Sequence, residues 1–391
     1  MQAFLERLEQ DLARRQQNSL YRAPRIVSSP SGPEMELDGE QLLTFCSNDY
    51  LGLANHPDVK KAFVKAANQW GAGSGSAHLV TGHTQLHQQL EEALAAFTGH
   101  QRALLFSSGY MANLALLNGL TEKGDHVFQD KLNHASLIDS GRLMDAKMYR
   151  YLHADVSSLG RQLATVGSGQ KFVVTDGVFS MDGDIAPLRE MAFMAQDDDF
   201  VLMVDDAHGL GVLGENGRGS MEHFKLGTKQ VPVLMGTLGK ALGCAGAFIA
   251  ADEVVIETLI QRARPYIYTT AQPAAMAAAT LKALQLAELE SWRREHLQTL
   301  IKRFSKGARQ LGLPLMHSMT PIQPILAGTA VKALSWAEQL RQRQILVTAI
   351  RPPTVPEETA RLRITFSAAH SESQVDRLLD ALARIIKQDV S

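Results

Sequence analysis

A lysine, an aspartate and a histidine follow two apolar runs of this chain. Lys240 lies in a glycine-rich turn directly after the apolar run 231–235, and the run 200–204 leads straight into Asp205 and then His208. If both runs are strands of one parallel sheet, the amine, the carboxylate and the imidazole meet at one edge of it. Pyridoxal 5'-phosphate (PLP) requires a lysine for its Schiff base and an acid at its pyridinium nitrogen. The sequence therefore predicts a PLP enzyme.

The two adjacent aspartates cannot both serve this site. Asp205 and Asp206 point to opposite sides at the end of a strand, so only one of them can face the cofactor. We expect it to be Asp205, three residues before His208. The alternative is that both acids only solvate the end of the strand.

A phosphate site is predicted where the apolar run 103–106 passes into a helical pattern. Ser108, Gly109 and Tyr110 stand at this point. The free amides and the hydroxyl at a helix start can hold a phosphate, and the Tyr110 ring can lie on a planar cofactor. A plain serine N-cap explains the same residues equally well.

Two further residues are candidates for contacts with the cofactor ring. His134 follows the apolar pair Val127-Phe128, and Ser180 lies in a loop after the run 171–175. A neutral imidazole can stack on the ring and exchange a proton with substrate, although an isolated histidine is more often a structural hydrogen-bonding residue. Ser180 can bond the phenolic oxygen of the cofactor, with a solvated turn as the alternative.

Two arginines near the C-terminus are candidates for holding a carboxylate. Arg351 lies in a proline-rich loop, and Arg363 lies on an apolar run. Arginine binds carboxylates in a bidentate manner, so either residue can hold the carboxylate of an amino acid or of a diacid. The alternative is a pair of ordinary solvated arginines.

Two patterns are rejected as sites. The glycines of residues 209–214 match a dinucleotide fingerprint, but residues 215–219 supply no helix that would cap a pyrophosphate. His83 and His87 are spaced like a metal pair, yet no glutamate follows His83 and no third ligand is evident. We therefore expect two surface histidines and no metal site.

The elements that must position these residues indicate an α/β fold. Helical stretches alternate with apolar runs, which predicts a mostly parallel sheet covered by helices on both sides. Phe4, Leu5, Leu8 and Leu12 share one face of an N-terminal helix. We expect an N-terminal arm and segment over residues 1–56 that packs with the small domain, a large cofactor-binding domain over residues 57–273, and a small α/β C-terminal domain over residues 274–391.

Composition restricts the class of protein. The 391 residues carry a formal net charge of −2, so the chain has no basic excess for nucleic acid. Two cysteines without metal spacing predict a reducing, cytoplasmic compartment. The N-terminus carries acids where a signal peptide would be basic, and no apolar segment reaches the length of a membrane span. We expect no membrane association.

The chain resembles the α-oxoamine synthases, which are fold-type I PLP enzymes, over nearly its whole length. The resemblance rests on the segments Ser47-Asn48-Asp49-Tyr50-Leu51-Gly52-Leu53, Asn133-His134-Ala135-Ser136, Gly177-Val178-Phe179-Ser180-Met181-Asp182-Gly183, Val204-Asp205-Asp206-Ala207-His208-Gly209 and Thr237-Leu238-Gly239-Lys240. It implies a large domain with a mostly parallel seven-stranded sheet, a smaller α/β domain, and a homodimer with active sites at the subunit interface.

The resemblance also assigns roles to individual residues. It implies that Lys240 forms the Schiff base, that Asp205 pairs with the pyridine nitrogen, and that His134 stacks on the ring. The other implied cofactor residues are Ser108, Gly109, Tyr110, Ser180, His208 and Thr237, with Thr269 and Thr270 reaching the phosphate of the partner's cofactor. The implied substrate contacts are Arg22, Asn48, Thr354 and Arg363, and the chemistry of the residues themselves adds His134 and Arg351 as candidates.

The reaction implied by the resemblance is a decarboxylative condensation. Within the family, the segment from Ala349 to Pro356 favours the step of biotin biosynthesis that joins L-alanine to pimeloyl-CoA, or to pimeloyl-carrier protein. A sibling enzyme that uses glycine and a non-catalytic PLP-binding homologue are the alternatives. A nicotinamide dehydrogenase is disfavoured because no helix is predicted after Gly214.

Overall fold

The computed structural model describes the backbone of residues 1–390 and the side chains of residues 1–385. Its strands are β1 Glu34–Leu37, β2 Glu40–Thr44, β3 Arg102–Phe106, β4 His126–Asp130, β5 Lys147–Tyr151, β6 Lys171–Asp176, β7 Phe200–Asp205, β8 Val233–Thr237, β9 Ala247–Ala251, β10 Ile322–Gly328, β11 Ile345–Leu346, β12 Thr348–Ile350 and β13 Ala360–Thr365. Its α-helices are α1 Gln2–Gln17, α2 Pro57–Trp70, α3 Gln85–Thr98, α4 Gly109–Leu120, α5 Ala135–Leu143, α6 Val156–Leu163, α7 Leu188–Asp198, α8 Ser220–Phe224, α9 Glu253–Arg262, α10 Arg264–Ile267, α11 Ala274–Leu289, α12 Trp292–Gln310, α13 Ala330–Arg341 and α14 Glu372–Val390, and one π-helical turn spans His78–Gly82.

The chain divides into two compact units. The first comprises Met1–Ser47 and Thr299–Ser391, and the second comprises Asn48–Gln298. The divisions fall at 47/48 and 298/299, whereas the sequence analysis placed them at 56/57 and 273/274. The largest difference is α11, which packs on α2 and α3 within the second unit.

The second unit contains a seven-stranded sheet in the order β3-β9-β8-β7-β6-β4-β5. Strands β8, β7, β6, β4 and β5 run parallel to one another, and β9 is antiparallel to both β3 and β8. The predicted fold class, a mostly parallel sheet of seven strands, is confirmed.

Apolar residues cover both faces of this sheet because neighbouring strand residues point in opposite directions. Val174 and Met203 belong to one buried cluster together with residues of α4 and α9. Val173 and Leu202 belong to a second cluster with residues of α6 and α7. Strands buried on both faces read as continuous apolar runs, which is why the sequence indicated them.

The carboxyl ends of the central parallel strands carry polar residues. Asp130, Asp176, Asp205 and Thr237 are the last residues of β4, β6, β7 and β8. Asp176 and Asp205 are direct partners in the register of β6 and β7. This edge of the sheet is where α/β proteins bind their ligands.

The first unit contains two three-stranded sheets, β1-β2-β11 and β10-β13-β12. The neighbouring strands β11 and β12 belong to different sheets, although only one residue separates them in the sequence. The predicted N-terminal helix is α1, and its apolar residues Phe4, Leu5, Leu8 and Leu12 are each about half exposed. Within the described part of the chain, no helix has both the length and the apolar character needed to cross a membrane.

Candidate active site

A cavity of about 210 Å³ lies at the carboxyl edge of the parallel strands in the second unit. It brings together eight of the predicted site residues, from β7, β8, α4 and the loops that follow the strands. These are Gly109, Tyr110, His134, Ser180, Asp205, His208, Thr237 and Lys240. They are separated by up to 131 positions in sequence, so the fold, and not local sequence, creates this site.

The amine of Lys240 is held next to an imidazole. Its Nζ lies 2.9 Å from Nε2 of His208, and Nδ1 of His208 lies 2.6 Å from the hydroxyl of Tyr50. Tyr50 is fully buried and fixes the ring from the far side. This chain of three groups gives Lys240 a defined position and a neighbour that can exchange protons with it.

The structure directs the two adjacent aspartates to different sides, and Asp205 faces the cavity. Its Oδ2 accepts a hydrogen bond from Asn113 Nδ2 at 2.7 Å, and its Oδ1 accepts one from the Ala207 amide at 3.0 Å. Asp206 instead accepts hydrogen bonds from the amide and the hydroxyl of Ser220. Burial raises the pKa of Asp206 to about 7.

The glycines of the rejected dinucleotide pattern have a packing role. A side chain at Gly209 or at Gly219 would collide with the carboxylate of Asp206. Residues 206–217 form turns without an α-helix, and α8 begins only at Ser220. The prediction that this pattern lacks the helix of a pyrophosphate site is confirmed.

His134 forms one wall of the cavity and is itself held by the fold. It is the N-cap of α5, and its Nδ1 lies 2.7 Å from the hydroxyl of Ser136. Its backbone amide donates to Asp176 Oδ2 at 3.0 Å. Burial lowers the pKa of His134, with Lys240 acting in the same direction and Asp205 opposing it. The imidazole is therefore neutral near pH 7, the form that can stack on a ring and accept a proton.

The helix start predicted for phosphate binding is present beside the cavity. Ser108 is the N-cap of α4 and accepts a hydrogen bond from the Met111 amide at 3.2 Å. Gly109 and Tyr110 begin the helix and line the cavity, with the Tyr110 hydroxyl hydrogen-bonded to Asp139. The first amides of α4 thus offer an anion site next to Lys240.

The remaining predicted residues lie elsewhere. Thr269 and Thr270 are outside this cavity, and Thr270 forms a β-bridge with Ala77. Asn48 accepts a hydrogen bond from the Tyr50 hydroxyl at 3.2 Å. Arg363, in the first unit, is buried on β13 and donates to Thr365 Oγ1 at 3.2 Å.

A second polar cavity, of about 290 Å³, lies within the first unit and is lined by Arg22, Arg351 and Thr354. Arg22 Nη2 lies 3.4 Å from Thr354 Oγ1. The guanidinium of Arg351 is engaged by the backbone: its Nε donates to the Ser19 carbonyl at 2.6 Å and its Nη2 to the Tyr21 carbonyl at 3.2 Å. Arg351 therefore fixes the segment that carries Arg22.

Several residues of the second unit's cavity were not predicted from the sequence. Asn113, Ser136 and Asp176 also line it, and Asn113 Nδ2 donates to both Asp205 and Ser136. Asn113 stands four residues after Gly109, one helical turn along the same face, and that spacing is the signal that could have identified it. Burial and the charge of Asp205 raise the pKa of Asp176 well above its usual value.

His153 was also missed, and it connects two loops of the site. Its Nδ1 lies 3.0 Å from Asp130 Oδ1, and its Nε2 lies 2.8 Å from Asp184 Oδ2. Asp130 ends the strand before His134, and Asp184 closes the loop of Ser180. Burial alone would lower the pKa of His153, but the hydrogen bonds and charges of the two carboxylates outweigh it and raise the pKa to about 10.

We expect this ion pair to make stability depend on pH. The unfolded histidine has a pKa of about 6.5, so folding takes up a proton between that pH and about 10. The contribution is fully present below pH 6.5 and is lost as pH rises through the folded pKa. Urea unfolding of the wild type and of His153→Gln should differ by about 2 kcal/mol at pH 6, and the difference should shrink towards pH 10. A pH-independent difference would contradict the assignment.

The histidines rejected as a metal pair require a correction. His87 is not a surface residue: it is fully buried, its Nε2 lies 2.8 Å from the Gln272 carbonyl, and its Nδ1 accepts from the Thr84 amide at 3.0 Å. The expectation that the pair has no third ligand is also wrong, because the π-helical turn brings a ring nitrogen of His78 within 4.8 Å of the pair. The helical spacing of His83 and His87 gave no sign of this turn.

Comparisons with known proteins identify relatives along the whole chain. Residues 40–382 match the family described as aminotransferase class I and II. A relative from Thioalkalivibrio sulfidiphilus named 8-amino-7-oxononanoate synthase is 58% identical over 97% of this chain and 97% of its own. The structure of 8-amino-7-oxononanoate synthase from Francisella tularensis is 34% identical, with a TM-score of 0.77 over 90% of this chain and 99% of that one. A structure of SPT with a PLP internal aldimine is 28% identical, with a TM-score of 0.93 over 98% of both chains.

Proposed function

Because this chain belongs to the class I and II aminotransferase family, we propose that it is a PLP-dependent acyltransferase that condenses L-alanine with a pimeloyl thioester. The products are 8-amino-7-oxononanoate, carbon dioxide and the free thiol. The observation that carries this proposal is the single cavity in which Lys240, Asp205 and His134 meet. The names of its relatives support the choice of substrates.

The residues of the cavity fit PLP. Both hydrogen bonds to Asp205 come from neutral amides, which leaves the carboxylate charge to be balanced by a protonated pyridine nitrogen. We assign Lys240 to the aldehyde carbon and the start of α4, from Ser108 to Tyr110, to the phosphate. We assign the ring face to His134. We assign Ser180 and His208 to the phenolic oxygen of the cofactor and Thr237 to the cavity wall.

The proposed mechanism divides the work between these side chains. When bound, PLP supplies an aldehyde that takes up the amino group of alanine and a ring that withdraws electrons from the α-carbon. Asp205 would hold the proton on the ring nitrogen. Lys240 Nζ would accept the α-proton of alanine, and His208 at 2.9 Å keeps that amine positioned. His134, neutral because of burial, can donate a hydrogen bond to the acyl carbonyl.

The proposal also covers the acyl donor, assembly and compartment. We infer that the thioester is pimeloyl-CoA or pimeloyl-carrier protein, and that the active form is a homodimer in which Thr269 and Thr270 contact the partner's cofactor. We further propose substrate contacts at Arg22, Asn48, Thr354 and Arg363. Two free, half-buried thiols, Cys46 and Cys244, support a reducing, cytoplasmic compartment.

The function is tested by supplying the PLP-loaded protein with L-alanine and pimeloyl-CoA. We expect thiol release and a product with the mass of 8-amino-7-oxononanoate. Glycine should react at least about 10-fold more slowly, because a pocket for one methyl group discriminates to that extent. Thiol release only with glycine and acetyl-CoA would assign a sibling activity, and PLP binding without any thiol release would indicate a non-catalytic homologue.

Arg351 offers a test of how the first unit's cavity works. Its two hydrogen bonds to backbone carbonyls predict that it positions Arg22 and does not bind the substrate itself. We expect Arg351→Ala to raise the KM for pimeloyl-CoA about 10-fold with little change in kcat. Arg351→Lys should be equally impaired, because lysine cannot reproduce the planar fork. Near-normal kinetics of the lysine variant would instead indicate that the charge alone matters.

A further inference from the structure

Three histidines of the second unit converge outside the proposed active site. His78 begins the π-helical turn His78–Gly82, His83 follows that turn, and His87 lies in the first turn of α3. One ring nitrogen of each lies within 4.8 Å of the others. The Nδ1 atoms of His78 and His83 are 2.9 Å apart. Nothing in the proposed condensation uses these side chains.

Neighbouring residues hold the rings of His78 and His87 in place. The His78 ring stacks on Tyr266, with ring centroids 5.2 Å apart and an interplanar angle of 15°. The fully buried His87 ring is held through Nε2 by the Gln272 carbonyl at 2.8 Å. The backbone of the connecting turn is equally constrained, because a side chain at Gly82 would collide with the Ser76 carbonyl. The cluster is therefore built into the fold and is not a chance meeting of mobile side chains.

The cluster favours uncharged imidazoles. Burial, reinforced by the neighbouring His87 and His83, lowers the pKa of His78 to about 3. Burial likewise lowers the pKa of His87.

The Nε2 atoms of His83 and His87 have the partners that metal-bound histidines commonly have at the nitrogen that does not bind the metal. His87 Nε2 donates to a backbone carbonyl. His83 Nε2 lies 3.3 Å from Gln88 Oε1 and 3.9 Å from Glu91 Oε2. Nδ1 of His83 therefore faces Nδ1 of His78 at 2.9 Å, and Nδ1 of His87 faces the Thr84 amide at 3.0 Å and the Thr84 hydroxyl at 2.9 Å.

We propose that His78, His83 and His87 form a binding site for Zn²⁺ or a similar divalent transition metal. Nδ1 is the ligand atom of each ring. Zn–N bonds of about 2.0–2.1 Å place tetrahedral ligand atoms about 3.3 Å apart, close to the observed separation of His78 and His83. A three-histidine site leaves a fourth position open for water.

Metal binding requires two local exchanges of hydrogen bonds and no net loss of protons. His83 accepts at Nδ1 when its Nε2 donates to Gln88, so His78 carries the shared proton on Nδ1. On binding, that proton moves to Nε2 of His78. The Nδ1 of His87 exchanges its contacts with the amide and the hydroxyl of Thr84 for the metal.

The test is equilibrium dialysis of the PLP-loaded protein against ZnCl2, with quantification of bound zinc and of the melting temperature. We expect one equivalent per chain and a melting temperature that rises with zinc concentration. His83→Ala and His78→Phe should weaken zinc binding by more than about 100-fold. The phenylalanine keeps the stacking on Tyr266 but has no lone pair, so a folding defect and a lost ligand are distinguished.

The matched control is His317→Ala, which removes an exposed histidine of the first unit. It should bind zinc like the wild type. Equal zinc binding by the wild type, His83→Ala and His78→Phe would overturn the proposal, as would a wild type that binds no zinc. The condensation assay is independent of both results, so the failure of one proposal does not affect the other.

Discussion

Replacing Lys240 by alanine is expected to reduce the condensation rate by at least about 1000-fold while the protein remains folded. General base catalysis alone contributes up to about 10⁴-fold, and Lys240 also supplies the amine that bonds the cofactor. Among the described residues that line the cavity, it is the only lysine. Thiol release from pimeloyl-CoA and the visible absorbance of bound PLP measure both of its roles.

Two further variants separate the chemistry of Lys240 from its charge. Lys240→Arg keeps a cation beside His208 but is expected to be equally inactive, since a guanidinium stays protonated and does not act as the nucleophile. Lys123→Ala removes an exposed lysine of the same unit and should retain full activity. Turnover by Lys240→Ala at a rate near the wild type would rule out the proposed mechanism.

The central strands could be predicted from the sequence because burial on both faces leaves a continuous apolar run. β6, β7, β8 and β9 appear where such runs occur. β5 was missed because it is an edge strand whose residues Lys147, Tyr149 and Arg150 are only partly buried or exposed, whereas the other edge strand, β3, is mostly buried. An edge strand with polar residues on its open side carries no continuous apolar signal.

The site was predictable to the extent that its residues follow strand ends. Lys240, Asp205 and His208 do so, and the structure brings them into one cavity. His153 also follows a strand end, but its strand is β5, which the sequence did not indicate, and its role depends on two aspartates that stand 23 and 31 positions away. The three-histidine cluster depends on a π-helical turn, which a search for helical spacing does not detect. Long-range contacts of this kind are set by tertiary structure.

The second large effect is expected at Asp205. Asp205→Asn preserves the shape of the side chain but removes the charge that holds a proton on the pyridine nitrogen. We expect kcat to fall by at least about 100-fold, comparable with the loss of one group that stabilises charge in the transition state. Bound PLP should remain detectable by its absorbance, because Lys240 and the start of α4 are unchanged.

Asp206→Asn is the matched control, because it changes an adjacent and equally buried carboxylate that faces Ser220 instead of the cavity. An amide at this position can accept from the Ser220 amide through its oxygen and donate to the Ser220 hydroxyl through its nitrogen, so we expect a folded protein with kcat within about 3-fold of the wild type. If the Asp206 variant loses kcat and the Asp205 variant does not, the assignment of the two carboxylates is reversed. The opposite pattern would show that the cofactor depends on the carboxylate of Asp205 to withdraw electrons. The two oxygens of this carboxylate, at the end of β7, accept hydrogen bonds from Asn113 and from the Ala207 amide.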